Sequence, residues 1–151
     1  MQASPSIRSV RLKAADRDLA RALFALMAEV FEEGCEPLSD GYLDRLLGRP
    51  EFWALAALDG EEIIGGLTAH VLPMTSAETS ELFIYDVAVR RDRQRSGVGR
   101  RLIADLRDQA AAAGIEVLFV PADNDDTHAL GFYRALGGVA APVTLFTFGA
   151  G

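Results

Sequence analysis

The apolar positions of this 151-residue chain recur with two different periods, which divide it into helices and strands. Helical spacing predicts helices at about 16–31, 98–113 and 127–136, and a short one between a cap at Ser39 or Asp40 and Arg49-Pro50. Alternating or continuously apolar runs predict strands at 7–12, 52–58, 63–72, 81–89, 117–120 and 143–148. The predicted order is β-α-α-β-β-β-α-β-α-β, which is an α+β fold.

Local patterns refine this expectation for four of the strands and for the turn between two of them. Asp59-Gly60 between two apolar runs predicts a hairpin. Gly65-Gly66 inside the second run indicates a bulge or a close approach of two backbones. The strand at 81–89 is nearly continuously apolar, and we expect it to be buried on both faces. The strand at 117–120 is expected to be buried as well.

The composition is that of a soluble globular enzyme, with half of the residues hydrophobic and a quarter charged. The length fits a single domain over 1–151. No apolar run is long enough for a membrane span, and the N-terminus carries charge without the apolar core of a signal peptide. The single cysteine, Cys35, excludes an internal disulfide and fits a cytoplasmic location. We expect it to be a small packing residue.

The net charge of −7 is unevenly distributed along the chain. Residues 90–101 hold six arginines and one acid, Asp92, which gives +5, so the remainder carries −7 − 5 = −12. A basic island in an acidic chain favours an anionic cofactor at the island and a cationic substrate elsewhere. It argues against nucleic acid, which needs a broad basic face. An acidic surface that serves solubility alone explains the same charge equally well.

The basic island coincides with a turn between an apolar strand and a helix. Gly97 and Gly99 allow backbone N–H groups to approach a ligand, and the start of a helix favours an anion, most often a phosphate. The spacing matches neither the P-loop pattern G-x-x-x-x-G-K-[ST] nor the dinucleotide pattern G-x-G-x-x-G. A phosphate-bearing cofactor of another class is therefore predicted.

The pattern Gln94-x-x-Gly97-x-Gly99 resembles the acetyl-coenzyme A pyrophosphate loop of the GNAT acetyltransferases, and the predicted order of elements is similar to their topology. The segments L-A-A-L-D-G, H-V-L-P, L-F-I-Y-D-V-A-V and P-A-D-N-D-D resemble the aminoglycoside 3-N-acetyltransferases of that family. The resemblance implies a GNAT acyl-CoA N-acyltransferase fold, three-layered, with a mixed, mostly antiparallel sheet and helices on both faces. It also implies a homodimer.

The resemblance implies where acetyl-CoA binds. The edge of the strand would pair with the pantetheine arm, and the backbone N–H of Val87 would polarise the acetyl carbonyl as an oxyanion donor does. The turn amides would hold the pyrophosphate. The predicted cofactor residues are Val87, Ala88, Val89, Gln94, Arg95, Ser96, Gly97, Val98, Gly99 and Arg100.

Asp86 is the most informative side chain because an unpaired carboxylate inside L-F-I-Y-D-V-A-V would be costly to bury. It could take a proton from the attacking amine as a general base, since burial raises the pKa of a carboxyl. It could instead remain ionised and hold the ammonium in line with the thioester. A structural carboxylate hydrogen-bonded to a loop is the third interpretation.

Tyr133 follows Asp126, which is expected to cap the last helix, and the resemblance implies that it is the general acid for the leaving thiolate. Tyr85 points away from Asp86 in a regular strand, whereas a bulge, expected from the family, would bring it to the substrate. His70 and His128 lie in no motif and are expected to have ordinary hydrogen-bonding roles. No ligand spacing predicts a metal site.

The expected substrate is a small polycationic amine, most specifically the 3-amino group of an aminoglycoside, which would make the chain an antibiotic-resistance enzyme. Acidic loops suit such a substrate better than an apolar pocket. The substrate residues expected are Tyr85, Asp86, Glu33, Glu36, Glu81, Asp123 and Asp125. Two alternatives stay open: a GNAT enzyme for a polyamine, another metabolite amine or a protein N-terminus, and a non-catalytic acyl-CoA-binding module.

Overall fold

The structure, a computed structural model, describes residues 6–34 and 36–151, so the packing role expected of Cys35 lies outside the described residues. The chain divides into two compact units, one ending at Pro121 and one from Ala122 to Gly151. Each unit is described by itself below. That residues 1–151 form one domain stays a prediction.

The N-terminal unit contains a five-stranded sheet and three α-helices in the predicted order. Strands β1 to β4 are consecutively antiparallel, and β5 pairs with β4 in parallel, so the mixed, mostly antiparallel sheet is confirmed. The elements are β1 Ile7–Arg11, α1 Arg17–Val30, α2 Asp40–Leu47, β2 Phe52–Asp59, β3 Glu62–Pro73, β4 Ser80–Val89, α3 Val98–Ala112 and β5 Val117–Phe119. Within residues 6–34 and 36–151, no helix is both long enough and apolar enough to cross a membrane.

The two adjacent glycines of β3 show that helices cover both faces of the sheet. A Cβ on Gly66 would lie 2.4 Å from Leu23 of α1, and a Cβ on Gly65 would lie 3.4 Å from Val98 of α3. Because consecutive residues of a strand point to opposite faces, α1 and α3 lie on opposite faces. The Cβ positions are also 2.6 and 2.7 Å from carbonyl oxygens of β2 and β4, which confirms the predicted close backbone approach.

The core under α1 and α2 is built from small strand residues and large helix residues. Leu23 and Leu43 are completely buried against Ala54 and Ala56 of β2. Short side chains on the sheet let the helices approach closely, and the helices supply the volume. Ser39 begins α2 by accepting a hydrogen bond from the amide of Tyr42 at 3.1 Å, as one of the two predicted caps.

Strand β4 is not buried on both faces, contrary to the sequence prediction. Leu82 and Ile84 are buried, whereas Tyr85 is 59% exposed and Asp86 is half-buried. Strand β5 is not buried either, because Val117 is 50% and Phe119 40% exposed. Strand β4 pairs with β5 over Glu81–Phe83 alone, so it is an inner strand in its first half and an edge strand in its second, where Tyr85 and Asp86 lie.

The C-terminal unit contains one helix, α4 Thr127–Ala135, capped by Asp126 as predicted, since its carboxylate accepts from the amide of Ala129 at 3.0 Å. The predicted strand at 143–148 is not formed. Its large apolar side chains are 77–94% exposed and pair with no strand in the described part of the chain. Alternation gives a segment the propensity for a strand, but a strand also needs a neighbouring edge to pair with.

Candidate active site

The turn between β4 and α3 presents unpaired backbone amides. A short 3-10 helix, Arg91–Arg93, leads to Gly97, whose φ of 88° requires the left-handed conformation that glycine adopts freely. Helix α3 starts at Val98, and no described side chain caps it. The first intrahelical bond of this end runs from the amide of Arg101 to the carbonyl of Gly97, at 3.0 Å. The amides of residues 98–100 are therefore available to an anion.

The clustering of six arginines in the sequence indicated one free basic patch near this turn. The structure does not show such a patch among the residues it describes. Four of the arginines are in ion pairs with the protein's own carboxylates: Arg90 with Glu62 and Asp92, Arg91 with Glu32, Arg93 with Asp59, and Arg101 with Asp105. In the described part of the chain, no carboxylate pairs with Arg95 or Arg100. These two exposed guanidinium groups are the charges left for a ligand.

The second half of β4 has an open edge beside this turn. The amide of Arg90 donates to the carbonyl of Ile64 on β3 at 2.8 Å. Along an antiparallel strand, the backbone N–H and C=O groups of successive residues point to alternate sides. Those of Val87 and Val89 therefore point away from β3. The partner strand on that side, β5, reaches only to Phe83. The side-chain amide of Gln94 donates to the carbonyl of Val89 at 3.0 Å and so fixes the turn against the edge.

A bulge in β4 brings Tyr85 and Asp86 to the same face. Thr68 pairs with Asp86 and the next residue, Ala69, pairs with Ile84, so Tyr85 is the extra residue. The ring of Tyr85 lies 5.8 Å from that of His70 and 5.6 Å from that of Phe83, on the face covered by α1 elsewhere. The bulge at Tyr85, which was expected from the family resemblance, is therefore present.

The carboxylate of Asp86 is half-buried and accepts no hydrogen bond from any residue in 6–34 or 36–151. Burial raises its pKa above the usual value, and the negative charge of Glu33 raises it further. A carboxylate that is desolvated and left without a donor is poorly suited to a structural role. It is suited to accept a proton or an ammonium group from a ligand.

Glu33 lies near enough for its charge to act on Asp86 because of the way α1 ends. Glu32 adopts a left-handed φ of 57°, which turns the chain, and the amide of Glu33 bonds back to the carbonyl of Ala28 at 2.9 Å. The carboxylate of Glu32 accepts from Arg91 at 2.9 Å. This ion pair fastens the end of α1 to the turn that precedes α3. Sequence reasoning missed it, because 59 residues separate its partners and neither lies in a motif.

The remaining predicted substrate residues are spread over the chain. Glu81 lies at the start of β4, five residues from Asp86, which is about 17 Å along a strand. Glu36 is exposed in the segment between α1 and α2. Asp123 and Asp125 are exposed in the C-terminal unit, where their carbonyls accept turn hydrogen bonds before α4. Of the predicted acids, Glu33 is the one whose charge raises the pKa of Asp86.

Tyr133 lies in α4 and is half-buried, with its ring 5.2 Å from that of Phe132. Its carbonyl accepts the amide of Gly138 at 2.9 Å, and a Cβ on Gly138 would lie 2.9 Å from that oxygen. The Gly137-Gly138 pair therefore closes the helix. Among the described residues, no three His, Cys, Asp or Glu side chains are grouped as ligands for a metal ion.

The sequence model of the acetyltransferase (GNAT) family matches residues 17–137, which is most of the chain. The chain belongs to the GNAT family of acetyltransferases. The match spans both units and includes the β4–α3 turn, the bulge and α4. The fold predicted from the resemblance, including helices on both faces of the sheet, is thereby confirmed.

Solved structures of two aminoglycoside acetyltransferases are similar to this protein over nearly the whole chain. The aminoglycoside acetyltransferase meta-AAC0020, from an uncultured soil metagenomic sample and in complex with sisomicin, is 31% identical with a TM-score of 0.93, over 96% of this chain and 97% of that one. The aminoglycoside acetyltransferase HMB0005, also from a soil metagenomic sample, is 35% identical with a TM-score of 0.90, over 96% and 99%.

A curated relative is the uncharacterized N-acetyltransferase YvbK of Bacillus subtilis (strain 168). It is 29% identical over 99 residues, which are 66% of this chain. The match spans 59% of that relative's length.

Proposed function

We propose that this GNAT protein transfers the acetyl group of acetyl-CoA to a primary amine, namely the 3-amino group of an aminoglycoside. The observation that carries the proposal is the bulge in β4. It orients Asp86, whose carboxylate has no hydrogen-bond partner among the described residues, one residue before Val87, whose backbone groups face the open edge. A thioester bound along this edge would have the carboxylate of Asp86 and the proposed oxyanion donor, Val87 N–H, beside it.

Acetyl-CoA would bind along the open edge and across the turn. The amide groups of its pantetheine arm would pair with Val87 and Val89, which have no strand partner on that side in the described residues. The pyrophosphate would accept from the amides at the start of α3, with Arg95 and Arg100 supplying charge. Gln94, Ser96 and Gly97 shape this surface, whereas the side chain of Ala88, a predicted cofactor residue, is buried in the core under α1. Gln94 bonds to the strand, and the hydroxyl of Ser96 donates to the carbonyl of Arg93.

The reaction would be a direct attack within a ternary complex. The amine nitrogen forms a bond to the acetyl carbon while Val87 N–H stabilises the carbonyl oxygen, and the C–S bond then breaks. The proton of the amine passes to Asp86 or, through water, to solvent. Protonation of the CoA thiolate is assigned to the phenol of Tyr133 by the family resemblance. No covalent enzyme intermediate is required, because the amine of the substrate attacks the acetyl carbon directly.

An aminoglycoside is favoured as the acceptor on two grounds. Two relatives above 30% identity are aminoglycoside acetyltransferases, and one of them has been crystallised with sisomicin and also with trehalose. In this chain, the charge of Glu33 acts on Asp86, and two carboxylates that interact in this way suit a polycation. The 3-amino position rests on the resemblance of L-F-I-Y-D-V-A-V to the 3-N-acetyltransferases.

The proposal is tested by thiol release from acetyl-CoA with a panel of amines. The panel contains gentamicin, sisomicin, spermidine and an N-terminal peptide, and NMR locates the acetyl group in the product. We expect turnover with aminoglycosides and acetylation at N3. Turnover with spermidine or the peptide alone would establish the alternative enzyme, and binding of CoA without any turnover would establish the non-catalytic module.

Arg100→Gln is expected to raise the KM for acetyl-CoA about fivefold, because a charged hydrogen bond to phosphate at an exposed site contributes about 1 kcal/mol. The KM for the amine should stay within twofold. Arg107→Gln is the matched control, since it removes the same charge from an exposed position two turns further along α3. An equal effect of both substitutions would show that Arg100 acts through net charge alone.

We also propose that the chain forms a homodimer. Support comes from the C-terminal unit, where Val139, Val143, Leu145, Phe146 and Phe148 are 77–96% exposed. Five large apolar side chains exposed within ten residues of the chain favour an interface. Light scattering should give about twice the 16.3 kDa of one chain, and Leu145→Glu with Phe148→Glu should halve it. A mass of one chain for the unaltered protein would refute the dimer.

A further inference from the structure

A continuous row of aromatic rings crosses the face of the sheet on which α1 packs. It begins at Phe24 of α1 and passes through all of strands β2 to β5. Neighbouring ring centroids lie 6.4, 5.3, 5.8, 5.6 and 5.2 Å apart along the series Phe24, Phe52, His70, Tyr85, Phe83 and Phe119. These are the spacings of aromatic pairs in contact.

The row passes from the core to an open surface. Phe52 is buried under α1, whereas Tyr85 is 59% and Phe119 40% exposed. Phe83 and Phe119 are stacked with their planes 6° apart, and the 40% exposure of Phe119 leaves part of its ring accessible to a ligand. Tyr85 joins the row only because the bulge turns it to this face. The bulge in β4 therefore brings Tyr85 to the face on which Asp86 lies and also completes the aromatic surface.

The exposed end of the row combines flat apolar rings with negative charge. Asp86 follows Tyr85 directly, and Glu33 is close enough to raise the pKa of Asp86. His70, inside the row, has its pKa lowered by burial and by Arg49, so it stays neutral and adds no charge that would repel a cation. Phe119 pairs with Phe83, three residues from Asp86, which is about 10 Å along the strand.

We propose that the exposed rings of Tyr85 and Phe119 form a subsite for the C–H face of a saccharide ring whose neighbouring amine is held at Asp86. This inference rests on the proposed function and makes its substrate class more specific. A ligand of several rings carries both the flat apolar faces and the ammonium groups that this surface matches. A linear polyamine has no ring face, and for it the carboxylates alone would be sufficient.

The test compares two substitutions of Phe119. Phe119→Leu keeps an apolar side chain and removes the flat ring, and it is expected to raise the KM for sisomicin about fivefold. The value of kcat and the KM for acetyl-CoA should stay within twofold. Phe119→Tyr retains the ring and should behave as the unaltered protein. Tyr42→Leu is the control, because Tyr42 is 48% exposed and lies outside the row.

The outcomes separate this subsite from the proposed function. Turnover of sisomicin with an unchanged KM in Phe119→Leu would overturn the subsite and leave the enzyme's function intact. A rise in KM that is equal in Phe119→Tyr would also overturn it. If no aminoglycoside is acetylated, the proposed function fails. Calorimetry with a neutral disaccharide then decides on the subsite: binding that Phe119→Leu abolishes supports it, and absence of binding rejects it.

Discussion

Replacing Asp86 with asparagine is expected to lower kcat/KM for the amine by about 100-fold or more. Asparagine keeps the shape of the side chain and removes both its charge and its ability to take a proton. The carboxylate lies on the open face of β4, next to the residue whose amide is proposed to polarise the acetyl group. A thiol-release assay with saturating acetyl-CoA measures the effect. A change of less than threefold would remove Asp86 from the reaction.

The same substitution separates the two functional interpretations of Asp86. A general base acts in the transition state, so its loss lowers kcat. An anchor for the ammonium group acts on bound substrate as well, so its loss raises the KM for the amine. In either case, activity requires the ionised carboxylate, and kcat/KM falls as the pH drops through its pKa. Since Glu33 raises this pKa, Glu33→Gln should move the acidic limb to lower pH.

The stability of the Asp86→Asn variant provides an independent readout. A carboxyl whose pKa is raised on folding binds protons more tightly in the native state, so it lowers the free energy of unfolding at pH values above that pKa. Removing the charge should therefore leave stability equal or higher at pH 7, while activity is lost. A structural carboxylate would give the opposite result. Its replacement would lower the melting temperature at that pH.

The non-catalytic alternative makes a different prediction for Asp86 and for Tyr133. An acyl-CoA-binding module needs the strand edge and the turn, which bind the cofactor through backbone groups, but neither of these two side chains. Tyr133→Phe removes one hydroxyl and is expected to lower kcat while CoA affinity is retained. If both substitutions leave CoA binding and the low background turnover unchanged, the module is the better description of the protein.

The elements were predictable because their signals are local. The starts of α2 and α4 follow from Ser39 and Asp126, whose side chains accept hydrogen bonds from backbone amides three residues later. The close approach at Gly65 and Gly66 follows from the absence of side chains in an apolar strand. The bulge at Tyr85 was expected through the family resemblance alone, since strand periodicity by itself places Tyr85 on the wrong face.

The parts that could not be predicted depend on partners distant in the sequence. Arginines that appeared to form a free basic patch are paired with Asp59, Glu62 and Glu32, which are 34, 28 and 59 residues away. The open second half of β4 depends on where β5 stops pairing, and three residues of β5 carry no signal for this. The segment at 143–148 has the alternation of a strand but no neighbouring edge among the described residues.

Gly66→Ala is expected to lower the free energy of unfolding by about 2–3 kcal/mol, which is about 5–10 °C in melting temperature for a chain of this size. The added Cβ would lie 2.4 Å from a methyl carbon of Leu23 and 2.6 Å from the carbonyl oxygen of Leu55. Leu23 is completely buried, and the carbonyl belongs to the middle of β2. Neither atom can move aside without displacing α1 or the sheet.

The matched control is Gly41→Ala in α2, where the new Cβ would meet only the end of the flexible Arg45 side chain, at 3.3 Å. Alanine is favoured over glycine in a helix by up to about 1 kcal/mol, so this variant should be as stable as the unaltered protein or more stable. Denaturant unfolding of both variants measures the difference. Equal stability of Gly66→Ala and the unaltered protein would mean that α1 does not pack against β3 at this position.

The contact between Gly66 and Leu23 also supports the position of Glu33, because Leu23 lies in α1 and Glu33 lies in the turn that ends this helix. Loss of stability in Gly66→Ala should therefore be accompanied by a higher KM for the amine, whereas Gly41→Ala should leave that KM unchanged.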